Sequence, residues 1–121
     1  MEVETRIFVF GSNLAGRHGA GAALFAHKNR GAIYGQGIGL QGQSYAIPTL
    51  DEKLRQLPLE AIGGHVRDFL AFAVLHPKMR FQVTPIGCGL AGFTREQIAP
   101  LFDYAPFNCD LPVEFNGFVK R

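Results

Sequence analysis

Arg6-Ile7-Phe8-Val9-Phe10, followed by Gly11-Ser12-Asn13-Leu14-Ala15-Gly16-Arg17-His18-Gly19, is the stretch whose reading decides the fold. An unbroken apolar run has no polar face to give to water. It predicts a strand buried on both sides, as in a parallel sheet. The run stops at Gly11, and a loop follows to Gly19. From Ala20 to Arg30 the chain is rich in small helix formers. His27, Lys28 and Arg30 near its end, with Gly31 just beyond, are helix-stop signals. The opening is therefore strand, glycine loop, helix.

The remaining chain extends this pattern. Ala32-Ile33-Tyr34 reads as a short strand, Gly35 to Gln43 as a second glycine loop, and Ser44-Tyr45-Ala46-Ile47 as a strand ended by Pro48. Asp51 to Leu57 is a charged, solvated connection. Leu59, Ile62, Val66, Phe69, Leu70 and Ala73 repeat at helical spacing, so Pro58 to His76 forms the longest helix. Gly63-Gly64 inside it costs about 1 kcal/mol per glycine relative to alanine. Arg80 to Pro85 is a strand, and Ile86 to Gly92 a third glycine loop. Thr94-Arg95-Glu96-Gln97 has the form of a capping box, and Pro100 cuts the helix it starts. Val113 to Phe118 is the expected last strand. The order βαββαβαβ points to one α/β domain over residues 1–121, a mixed, mostly parallel sheet flanked by helices in three layers.

Composition narrows the function. The 121 residues suit one domain, and the formal net charge of +2 lacks the basic footprint of a general nucleic-acid binder. The start, Met1-Glu2-Val3-Glu4, is acidic where a secretion signal is basic, and no apolar run reaches the length of a membrane span. Cys88 and Cys109 form no spaced framework, and His18, His27, His65 and His76 pair with no cysteine at zinc-ligand spacing. These features lead us to expect a cytoplasmic protein with no metal and no cofactor, and they leave any protein partner open. Fifteen glycines are nearly double the usual share of about 7%. They crowd into 11–21, 35–42 and 87–92, which suggests a backbone that approaches a ligand closely.

Two of these loops carry the functional reading. A glycine-rich turn between a buried strand and a helix presents free backbone N–H groups beside the positive end of the helix dipole, which favours phosphate. Gly11 to His18 has the outline of a nucleotide-binding P-loop. Arg17 and His18 stand where the P-loop needs Lys and Ser or Thr, which argues against an ATPase. Gly87-Cys88-Gly89-Leu90-Ala91-Gly92 matches G-x-G-x-x-G after a strand and before a helix, the context a dinucleotide fingerprint requires. Gly37 to Gly42 matches too, but a strand follows it. What both corners share is a place at the carboxyl ends of strands, where open α/β sheets bind ligands.

Ser12 to Ala23 resembles the Asn-then-glycine loop of macro domains. Ser44-Tyr45-Ala46-Ile47-Pro48-Thr49 resembles a central strand of the macro branch that hydrolyses ADP-ribose esters, and Pro85 to Phe93 resembles that branch's second phosphate loop. The likeness spans about two thirds of the chain and extends to short macro-like proteins of phages and mobile elements. It implies an ADP-ribose-type ligand whose diphosphate is wrapped by Gly11, Ser12, Asn13, Gly16, Arg17, His18, Gly19, Ala20 and Gly21 on one side. On the other side stand Gly87, Cys88, Gly89, Leu90, Ala91, Gly92 and Phe93. It also implies Asn13 beside the distal ribose, as the candidate catalytic residue, with Phe93 stacked on the sugar. The branch's lysine is missing at Pro48-Thr49-Leu50, its loop aspartate is Ala91, and the acidic residue that reads adenine would fall in a segment this chain mostly lacks. The phosphate grip is retained while the Lys–Asp chemistry is lost.

Several single residues admit more than one reading. Cys88 is either a nucleophile activated by a helix N-terminus or a small packed thiol. Asn13 holds a ribose or water, or caps its own loop. His18 is a general base, a phosphate contact or a solvent-facing loop residue. Arg17 pairs with phosphate or is surface charge. His65 and His76 read as structural. Phe102, Tyr104 and Phe107 read as core or as an adenine pocket. Three functions follow: a binder of ADP-ribose or a related nucleotide derivative, a hydrolase of ADP-ribosyl esters or phosphorylated ADP-ribose derivatives, or a phage or plasmid accessory protein whose cleft is vestigial.

Overall fold

A computed structural model describes residues 4–121; the Met1-Glu2-Val3 part of the N-terminal reading lies outside the described residues. Five strands form one sheet in the order β2-β3-β1-β4-β5. Strand β1 (Ile7–Asn13) is central and pairs in parallel with β3 (Ser44–Leu50) on one side and β4 (Phe81–Val83) on the other. Strand β2 (Gly39–Gln41) is antiparallel to β3, and β5 (Cys109–Asp110) is parallel to β4.

The continuous apolar run of β1 is explained by two cores. Phe8 and Phe10 face helix α1 (Gly21–Asn29), where Ala23 and Ala26 with Ala32 and Ala46 let the layers approach closely. Ile7 and Val9 face helix α2 (Leu59–Leu75) in a larger core with Phe69, Phe81, Phe102 and Phe115. Each fully buried ring there contributes about 1.5–3 kcal/mol over its exposed state. Helices on both faces make three layers. The crossover through α1 goes to one side of β1 and that through α2 to the other, so β1 is the point where the strand order reverses.

The sequence expectations hold in order but shift in place. Strand β1 runs on through Gly11, Ser12 and Asn13, because the ladder to Ile47 and Pro48 needs no apolar side chain. Pro48 does not end β3; the register shifts between Ser12 and Asn13, beside the Ser12–Pro48 pair, and an irregularity of that kind accommodates a missing donor. Residues 32–34 form no strand: the Ile33 N–H goes to the Gln41 side chain and the Ala32 carbonyl to His27 Nδ1. The second glycine loop instead contains β2. The last strand is Cys109–Asp110, not 113–118, which holds a 3-10 turn over Val113–Phe115. Asn108 sets this, its Nδ2 donating to the Ala73, His76 and Met79 carbonyls and pinning the chain beside the end of α2. The capping box is present, with Thr94 and Gln97 exchanging bonds at the start of helix α3 (Arg95–Ile98). Pro100 then turns the chain into a 3-10 helix, Ala99–Phe102. Among the described residues no helix is long and apolar enough to cross a membrane.

Candidate functional site

Parallel β1, β3 and β4 all end on one edge of the sheet, so the loops that follow them meet there. A Cβ built on Gly11 would lie 3.5 Å from the Gly87 nitrogen, which is how closely the first and third glycine loops approach. Between them opens a cavity of about 780 Å³.

The first wall is the end of β1 and the start of α1. Gly11, Ser12 and Asn13 line it, then Arg17, then Gly19, Ala20 and Gly21, and beyond them Ala22 and Ala23. Ala20 occupies the N-cap position of α1 and offers no side-chain cap, and the first turn carries no acidic residue. The orphan N–H groups of this helix end therefore have no internal partner, and the positive end of its dipole is uncompensated. The second wall is Thr84 to Ala91. Among the described residues, the N–H groups of Gly89, Leu90 and Ala91 have no hydrogen-bond partner. The third wall has no counterpart in the sequence reading: Thr49 and Leu50 at the end of β3, Leu54 after it, and Tyr34 just before the second glycine loop. Strand β3 could have indicated it, since the connection after a third parallel strand must open on the same edge.

Asn13 is buried and braces its own loop. Its Nδ2 donates to the Arg17 carbonyl and its Oδ1 accepts from the Arg17 N–H, both at 2.9 Å. Arg17 is exposed on the wall; among the described residues it is the one formal charge there, and no carboxylate lines the wall. Cys88 lines the wall half-buried. Burial pushes its thiol up, and Glu114 and Glu96 add to that, so this cysteine is not an activated nucleophile.

Four of the expected residues stand elsewhere. His18 is fully buried, not solvent-facing, and is absent from the wall: its Nε2 lies 2.9 Å from the Gln36 carbonyl and 3.2 Å from Gln41 Oε1. Both neighbours are acceptors, so Nε2 carries the proton. The ring packs edge-on to Phe10 and Tyr34. Gly16 is buried under the second loop, Gly92 turns away from the cavity, and Phe93 packs on the large core instead of reaching a sugar. Phe102 is core, while Tyr104 and Phe107 are exposed away from the cavity. His76 stacks on Phe72 at the end of α2. Among the described residues no group of three or more His, Cys, Asp or Glu is placed to hold a metal ion.

The fold and cavity define an α/β domain with a cleft at the carboxyl edge of its sheet. No known family's sequence profile matches the chain. No curated protein matches it. Among solved structures, a protein of unknown function from Bacteroides thetaiotaomicron superposes with a TM-score of 0.57, covering 83% of this chain and 80% of that one at 19% identity. At that identity the likeness shows the fold alone.

Proposed function

We propose that the cavity binds ADP-ribose or a related phosphate-bearing nucleotide derivative, as the resemblance to macro domains implies. The observation that carries this reading is the convergence of two sets of unpartnered main-chain N–H groups on one cavity, beside a guanidinium and no carboxylate. Such a wall attracts an anion by hydrogen bonding and by the helix dipole together. The volume falls within the range of about 300–1,000 Å³ typical of small-molecule sites.

Binding is favoured over hydrolysis by the character of the wall. Activating water needs a positioned base, and among the described residues no His, Asp, Glu or Lys lines the cavity. Asn13 has committed its amide to Arg17. Isothermal titration with ADP-ribose, beside AMP and inorganic phosphate, tests the reading. ADP-ribose should bind most tightly and phosphate least. Absence of heat with ADP-ribose at millimolar concentration would overturn it.

A further inference from the structure

The polar side chains around the cavity are mostly turned to the protein's own backbone. Ser12 Oγ donates to the Gly37 carbonyl, and Thr84 Oγ1 donates to the Val9 carbonyl at 2.7 Å. Thr49 Oγ1 reaches the Ser12 carbonyl at 3.4 Å, and Asn13 holds Arg17. A site discriminates one nucleobase from another by uncommitted donors and acceptors matched to the base edge. Side chains of that kind are scarce on this wall.

Two leucines are instead held out to solvent at the cavity. Leu54 is 47% exposed and Leu90 85%. Leu54 also has φ +63°, a left-handed conformation that costs a residue with a Cβ about 1–2 kcal/mol. The strain persists because its turn is over-determined. The Asp51 carboxylate accepts from the N–H groups of Lys53 and Arg55, and Leu50 bridges to Gln56. Gln56 Nε2 then donates to the Ala91 carbonyl at 2.7 Å, which ties the Leu54 turn to the loop bearing Leu90. Strained backbone that is fixed in this way clusters at ligand clamps.

We infer that Leu54 and Leu90 form an apolar clamp that grips the organic part of the ligand by contact and does not read its base. The site then takes nucleoside diphosphate derivatives as a class. This rests on the anion binding proposed above, and the experiment separates the two. Wild-type protein is titrated with pyrophosphate and with ADP, GDP, UDP and CDP. The four nucleotides should bind within about 10-fold of one another, each more tightly than pyrophosphate. Leu54→Gly accepts the positive φ without strain, so its melting temperature should not fall. Its affinity for all four nucleotides should drop about 10-fold while pyrophosphate binding stays unchanged. A preference of more than about 10-fold for one base, or a Leu54→Gly variant that binds nucleotides as wild type does, overturns the clamp and leaves the anion site standing. If neither pyrophosphate nor any nucleotide binds, both readings fall.

Discussion

Two populations of glycine occupy the same half of the molecule and do opposite things. Gly16 and Gly42 lie where loops cross: a Cβ on Gly16 would sit 2.3 Å from the Gly35 carbonyl carbon, and one on Gly42 2.7 Å from the Gly31 Cα. Gly19 and Gly89 line the cavity, and a Cβ on either would meet nothing within 4 Å. The first pair is demanded by the packing of backbone on backbone. The second answers no demand within the fold. Glycine density alone therefore does not mark a ligand site, because part of it is spent on backbone packed against backbone.

The sharpest way to break this comparison is to add one methyl group to each population. Gly16→Ala drives a Cβ into backbone that cannot move aside and imposes φ +70° on a residue with a side chain. A loss of more than about 3 kcal/mol is expected, a large fraction of the roughly 5–15 kcal/mol that holds a domain folded. Urea unfolding followed by circular dichroism measures it. Near-wild-type stability would mean that the crossing 13–16 and 31–37 segments can part to admit a methyl group.

Gly89 should behave in the reverse sense. Gly89→Ala has room for its Cβ and should alter stability by no more than about 0.5 kcal/mol. Gly89→Glu places a carboxylate among the unpartnered N–H groups to which the proposed function assigns the anion. ADP-ribose affinity should then fall by about 100-fold or more, with the melting temperature of the unliganded protein little changed. Unchanged affinity in Gly89→Glu would take the third glycine loop out of the site.

The same contrast explains what could be read from the sequence. Strand β1 and helix α2 were legible because burial on two faces and on one face leave different periodicities, in Ile7–Phe10 and in Leu59–Ala73. The capping box at Thr94 was legible because its chemistry is local. Strands β2 and β5 escape a local reading because each is only two or three residues long and is held by contacts outside itself, from Gln41 of β2 to the Ile33 N–H and from Asn108, just before β5, to carbonyls at the end of α2. His18 among glycines reads as a loop residue, yet its place is set by Gln36 and Gln41, which no local pattern connects to it. Leu54 was hidden in a charged stretch, since a positive φ at leucine leaves no sequence signature.

The smallest effect concerns the opposite edge of the sheet. Among the described residues the cavity at the carboxyl edge has no carboxylate in its wall; at the amino edge Arg6 bonds Glu4 and Asp110, and Arg80 bonds Asp110. The hydrogen bonds from the Arg6 side chain and backbone hold Glu4 down at about 2. Burial pushes Asp110 up, but its bonds to Arg80 and Arg6 outweigh this and leave it below its ordinary value. A carboxyl group depressed on folding binds fewer protons in the native state than in the unfolded one. Its contribution is full above the unfolded value of about 4, and is lost as pH falls toward 2. All three pairs are partly exposed to solvent, so the loss should be modest. The urea midpoint should decline between about pH 5 and pH 2, and Arg6→Met should flatten the decline. If Arg6→Met and wild type lose stability in parallel across that window, acid sensitivity resides elsewhere in the chain, and the two edges of the sheet do not differ in the way their side chains imply.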